Sequence, residues 1–112
     1  GSKILIMGLT FKENCADIRN SGVKYVAAKL REFNCDLDFY DPWADSEEIK
    51  KTYGEYPKFK LNHSTYDGII IAVAHEKFKE FGVNKIINLC KKKKVIYDLK
   101  YLFSKEHVDL RL

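Results

Sequence analysis

A chain of 112 residues with a formal charge of +4 has the size of one domain, and at that length about 65% of the unfolded surface can be buried. Its 46% apolar and 32% charged residues make an ordinary globular composition rather than a disordered or membrane one. No apolar run nears the roughly 20 residues of a bilayer-spanning helix, and no signal-peptide pattern precedes Lys3, so a cytoplasmic location is expected.

In chain order, residues 3–7 (KILIM) are predicted to form the first strand. Residues 8–21, GLTFKENCADIRNS, follow where an α/β nucleotide-binding fold places its phosphate loop. The segment exceeds the usual strand-to-helix connection of about 2 to 6 residues and carries Lys12, Asp17 and Arg19, which marks it as the expected seat of function. Asn20 or Ser21 is predicted to cap a helix in which Val23, Val26, Ala27, Leu30 and Phe33 form one buried stripe. Residues 36–40 alternate as a half-covered strand does, until Asp41-Pro42 breaks it. A second helix is predicted over 44–53, capped by Asp45 or Ser46 and stopped near Gly54 and Pro57. A small strand is expected at 58–61 and a central, continuously apolar strand at 69–74. Short helices over 76–81 and 85–92, a last strand over 95–98 and a tail with Asp109 and Arg111 complete the chain.

Repeated strand-helix alternation predicts an α/β fold, a Rossmann-like, doubly wound parallel sheet in a single domain with right-handed crossovers. Ligands of such sheets bind outside the carboxyl ends of the strands. The first loop, Asp41, Ala74-His75 and Lys100 all project to that edge in this reading. A G-x-G-x-x-G fingerprint is absent, because Gly8 is followed by Leu9, Thr10 and Phe11, so an anion there must be met by side chains. Lys12 and Lys100 suit a diphosphate, since opposite charges 4 Å apart attract by about 4 kcal/mol at an effective dielectric of 20. Two solvated loop lysines are the plainer alternative. Asp17 is expected to orient Arg19 through a charge-assisted hydrogen bond, or the two form a purely structural salt bridge. Asp41 is expected to fix its turn rather than to touch a ligand.

His75 is expected to cap the helix that follows it, because no serine or cysteine nucleophile pairs with it in a known motif. His63 and His107 are expected at the surface. Cys15, Cys35 and Cys90 are an odd number without CxxC spacing, which predicts reduced structural thiols and no zinc site; no metal is expected. The lysines 91–94 are read as the end of a helix, where they complement its dipole. They lack the interleaved aromatic residues of a nucleic-acid surface, so neither nucleic acid nor membrane is an expected partner.

The pattern Phe11-Lys12, four residues, Asp17, one residue, Arg19 continues through Tyr40-Asp41-Pro42-Trp43, Ala72-Val73-Ala74-His75 with Phe78, Tyr97-Asp98-Leu99-Lys100 and Asp109-Leu110-Arg111-Leu112. This ordered set resembles the C-terminal third of the nucleotide-sugar (UDP-glucose/GDP-mannose) 6-dehydrogenases. The resemblance implies that residues 3–112 are the UDP-sugar-binding domain, with the NAD-binding and central domains absent, and the Gly1-Ser2 start, without a methionine, reads as a cloning scar. It implies UDP contacts from Phe11, Lys12 and Lys100, an Arg19 that reaches NAD held by the first domain, and a supporting Asp17. Homo-oligomers of the full-length protein are implied as well. Family members pass two hydrides to NAD through a cysteine-bound thioester. Neither the dinucleotide fingerprint nor the cysteine motif occurs in this sequence, so the chain alone is expected to be inactive and to bind UDP-sugars weakly.

Within the family, GLTFKEN, YDPWAD and AVAH are most similar to bacterial enzymes acting on UDP-N-acetylhexosamines (GlcNAc, GalNAc or ManNAc type) for capsule, Vi or O-antigen. Ala16 stands where those often carry proline. The alternative is a non-catalytic nucleotide-binding or receiver-like signalling module. A receiver needs an acidic pair after its first strand and an aspartate after its third, where this chain has Met7-Gly8 and Ala74-His75.

Overall fold

The computed structural model describes the backbone of residues 1–10, 22–73, 75–98 and 110–111. The elements run β1 (Lys3–Met7), α1 (Val23–Glu32), β2 (Asp36–Tyr40), α2 (Ser46–Tyr53), β3 (Tyr66–Ile71), α3 (Glu76–Phe81), α4 (Val83–Asn88), β4 (Cys90–Asp98) and β5 (Leu110–Arg111). Every strand pairing is parallel, in the order β2-β1-β3-β4-β5. This is the expected doubly wound α/β sheet, and its order reverses between β1 and β3.

The two-residue period of the strands splits the core between the two faces. Leu5 and Met7 of β1 join Ile69 and Ile71 of β3, Phe78, Ile86, Leu89 and Ile96 on the face covered by α3 and α4. Ile6 points the other way, with Leu37 and Phe39 of β2, onto Val23 and Ala27 of α1 and Ile49 and Tyr53 of α2. Burial of this size, about 25 cal/mol per Å² of apolar surface, holds the strand ends in fixed relative positions.

Local chemistry sets the helix ends. Asp45 caps α2 by accepting from Glu47 N at 2.8 Å, and Gly54, left-handed at φ 89, closes it by donating to Lys50 O at 2.9 Å. In α1 the N-cap is Gly22, with no side-chain cap, in place of the expected Asn20 or Ser21, both outside the described residues. Phe33 is the C-cap and is 76% exposed, so the buried stripe ends before it.

Two further expectations are corrected. Residues 58–61 form no strand; a backbone bond, Lys58 N donating to Phe39 O at 2.7 Å, ties the connection to β2. The second short helix spans 83–88, and Lys91 and Lys92 belong to β4 instead of a helix end. Tyr66 pairs with Cys90 but Gly68 with Val95, so the lysine run sits in an irregularity where β4 has extra residues. There Lys91 Nζ meets Asp67 Oδ1 at 3.4 Å.

Candidate functional site

Because the strands are parallel, the ends of β1, β2 and β3 share one edge, and the reversal of strand order opens it between β1 and β3. Gly8 lets the chain leave β1 there. Its φ is +97, and a Cβ on it would stand 2.7 Å from Val73 Cβ and 2.8 Å from Val73 N, so only glycine permits this approach of the two strand ends. Gly8 N donates to Tyr40 O at 3.0 Å and Ala72 N to Met7 O at 2.9 Å, which ties the exits of all three strands.

Asp41 is the hub of this edge. Its Oδ2 accepts from Leu9 N at 2.7 Å and lies 3.1 Å from His75 Nε2, while Oδ1 accepts from Trp43 N at 2.8 Å and Ala44 N at 3.3 Å. A carboxylate has about four lone-pair directions, and four N–H groups occupy them. The turn-fixing role expected of Asp41 is present in the Trp43 and Ala44 bonds. The bonds to Leu9 and His75 were not legible in the sequence, since nothing local signals a partner 32 or 34 residues away.

His75 differs from expectation. It holds the N-cap position of α3, and its carbonyl accepts from Phe78 N at 3.0 Å, but its side chain makes no cap bond. The ring is fully buried, 6.1 Å from the Trp43 ring and edge-on to Phe78 at 5.3 Å. Its Nε2 lies 3.1 Å from both Asp41 Oδ2 and Thr10 Oγ1. An ionised carboxylate only accepts, so the hydrogen-bond network puts the proton on Nε2. That nitrogen has no lone pair to offer a substrate, and His75 does not act as a base through it.

The residues expected to contact UDP (Phe11, Lys12 and Lys100), to reach NAD (Arg19) and to support the site (Asp17) lie outside the described residues, as do Cys15, Ala74, His107 and Asp109. What the structure places is their frame: Thr10 immediately precedes Phe11, and Asp98, the last residue of β4, stands two positions before Lys100. Two concavities flank the Asp41-Pro42 turn. One of about 370 Å³ is lined by Pro42, Trp43, Glu76, Lys77 and Glu80. The other, of about 320 Å³, includes Tyr40, Ser46, Pro57, Lys58 and Phe59. Both are of the size that accepts a small ligand.

The described residues do not fit the pyrophosphate and ribose of a dinucleotide. Gly8 is backed by Val73 with no second glycine beyond it, and the Asp41 carboxylate, which would face a ribose after the second strand, is buried and filled by N–H donors. Cys35 carries a free thiol, and the Cys90 Sγ lies 3.9 Å from Ile86 O. Among the described residues no group of three or more histidines, cysteines and carboxylates is placed to hold a metal, and no helix is long and apolar enough to cross a membrane.

The chain is similar to known proteins both in sequence and in fold. Residues 5–105 match the UDP-glucose/GDP-mannose dehydrogenase family, UDP binding domain. Over all 112 residues the chain is 46% identical to the UDP-N-acetyl-D-glucosamine 6-dehydrogenase of Salmonella typhi and 47% identical to that of Pseudomonas aeruginosa, and it spans 26% of each. The solved UDP-N-acetyl-mannosamine dehydrogenase Cap5O of S. aureus superposes with a TM-score of 0.73 at 22% identity, over 99% of this chain and 26% of that one, a likeness of fold. The chain thus spans about a quarter of the length of the relatives it matches, and the Phe-Lys, Tyr-Asp-Pro-Trp and Ala-Val-Ala-His motifs lie within the matched range. This chain belongs to the UDP-glucose/GDP-mannose dehydrogenase family, in the part that is its UDP-binding domain.

Proposed function

We propose that the chain is the UDP-holding portion of an NAD-dependent nucleotide-sugar 6-dehydrogenase that oxidises a UDP-N-acetylhexosamine at C6 to the uronic acid, for surface polysaccharide such as capsule or O-antigen. The observation that carries this reading is identity of 46 to 47% along the whole chain to two UDP-N-acetyl-D-glucosamine 6-dehydrogenases. Phe11, Lys12 and Lys100 hold the UDP moiety, the two ammonium groups facing its diphosphate. Arg19, supported by Asp17, reaches toward NAD. The cofactor itself is held mainly by the part of the enzyme outside these 112 residues, in keeping with the poor fit of the Asp41 edge to a dinucleotide. The catalytic nucleophile also belongs to that outside part, so the chain alone reduces no NAD. Full-length enzyme, working as a homo-oligomer in the cytoplasm, closes this domain over the substrate.

Calorimetric titration of the chain with UDP tests the site. Lys12→Ala and Lys100→Ala each lose a charge-assisted hydrogen bond, worth about 1.5 to 3 kcal/mol, which weakens binding by about 10-fold or more. Unchanged affinity in both variants contradicts the diphosphate clamp.

A further inference from the structure

The Asp41 and His75 side chains expose none of their surface, yet they join the exits of three strands to Thr10, the residue immediately before Phe11 and Lys12. We infer that Asp41, His75 and Thr10 form a positioning relay, in which the Asp41 carboxylate and the Thr10 hydroxyl oxygen share the Nε2–H of the buried imidazole, so that UDP affinity depends on these three buried side chains. The inference rests on the UDP-binding reading above and assigns residues to it.

The argument is geometric. Gly8 N is tied to Tyr40 O at 3.0 Å, and Thr10 lies two residues further along the chain. The Leu9 N to Asp41 bond at 2.7 Å and the Thr10 Oγ1 to His75 contact at 3.1 Å extend that attachment to Thr10 itself, which is 1% exposed. The imidazole is in turn held between the rings of Trp43, 6.1 Å away, and Phe78, 5.3 Å away. A Lys12 ammonium can meet a phosphate only from a chain that departs in a set direction, and a displaced ammonium loses that charge-assisted hydrogen bond.

Thr10→Val keeps the shape and removes the hydroxyl, whereas Thr10→Ser keeps the hydroxyl; His75→Phe keeps a ring and removes the N–H. UDP titration of the chain followed by NMR, at a temperature where circular dichroism shows each variant folded, reads the effect. Thr10→Val is expected to weaken UDP about fivefold and to shift the amide resonances of Phe11 and Lys12, with Thr10→Ser within about twofold of wild type. If His75→Phe folds, it behaves as Thr10→Val does; if it does not, the threonine pair decides. Thr10→Val that melts earlier but binds UDP as wild type does overturns the relay, because a merely structural role moves stability alone. Loss of binding in Lys12→Ala alongside intact binding in Thr10→Val overturns the relay and leaves the site reading standing. Wild-type chain without saturable UDP shifts overturns both.

Discussion

Asp41 shows how much one carboxylate can organise when all its lone pairs are used. Its four N–H donors come from Leu9, Trp43, Ala44 and His75. Asparagine has the same shape but only one accepting oxygen. In Asp41→Asn the amide NH2 must therefore confront two of those donors, orphaning each at about 1 to 3 kcal/mol. Chemical denaturation is expected to show a loss of at least about 2 kcal/mol; a loss under about 0.5 kcal/mol would mean that the edge is held by other contacts. The same network predicts the tautomer of His75: long-range ¹H–¹⁵N NMR should show a proton on Nε2, and a bare Nε2 would contradict the assignment.

At the scale of elements, the sheet is pinned across strands by polar groups as well as by its core. Tyr66 at the start of β3 reaches past β1 to Asp38 of β2, donating its hydroxyl to Oδ2 at 2.7 Å, and Lys3 Nζ of β1 stands 3.6 Å from the same oxygen. Burial, together with the Asp38 carboxylate, pushes the Tyr66 phenol far above the ordinary tyrosine range. The folded state thus keeps a proton that the unfolded chain gives up near pH 10. Stability from this group is complete below about pH 10 and is lost as pH rises further, at about 1.4 kcal/mol per pH unit. Tyr66→Phe should flatten the alkaline fall in denaturation midpoint by about one proton's worth. An unchanged slope between wild type and variant would show that the phenol titrates normally.

Elements were legible where hydrophobic period and capping chemistry agreed. Residues 3–7 and 36–40 are strands as read, and Asp45 and Gly54 bound α2 as their side-chain and backbone preferences require. The misses have physical causes. Lys91 and Lys92 lie in a strand whose alternation is erased by a bulge, so no apolar period announces it. His75 carries the polar side chain of a helix cap, but Asp41 and Thr10, distant in sequence, compete for its ring and win. Of the candidate site, the edge and the turn role of Asp41 were readable, while the bonds joining Thr10, Asp41 and His75 were not, because each spans more than thirty residues.

For the molecule as a whole, the parallel order β2-β1-β3-β4-β5 puts every family motif that the structure describes on one side of the sheet. The opposite edge carries instead a charged seam of Lys3, Asp36, Asp67 and Lys91, with Lys3 Nζ 3.3 Å from Asp36 and Lys91 Nζ 3.4 Å from Asp67. The two edges make different demands of a ligand, and only the first adjoins Phe11, Lys12 and Lys100 in sequence. The most direct measurement is a UDP titration of the ¹⁵N-labelled chain. The account predicts saturable amide shifts at Gly8, Leu9, Thr10, Trp43 and His75 and in the segment that follows Thr10. Shifts gathered instead on Ser2, Asp36, Asp67 and Cys90 would contradict it.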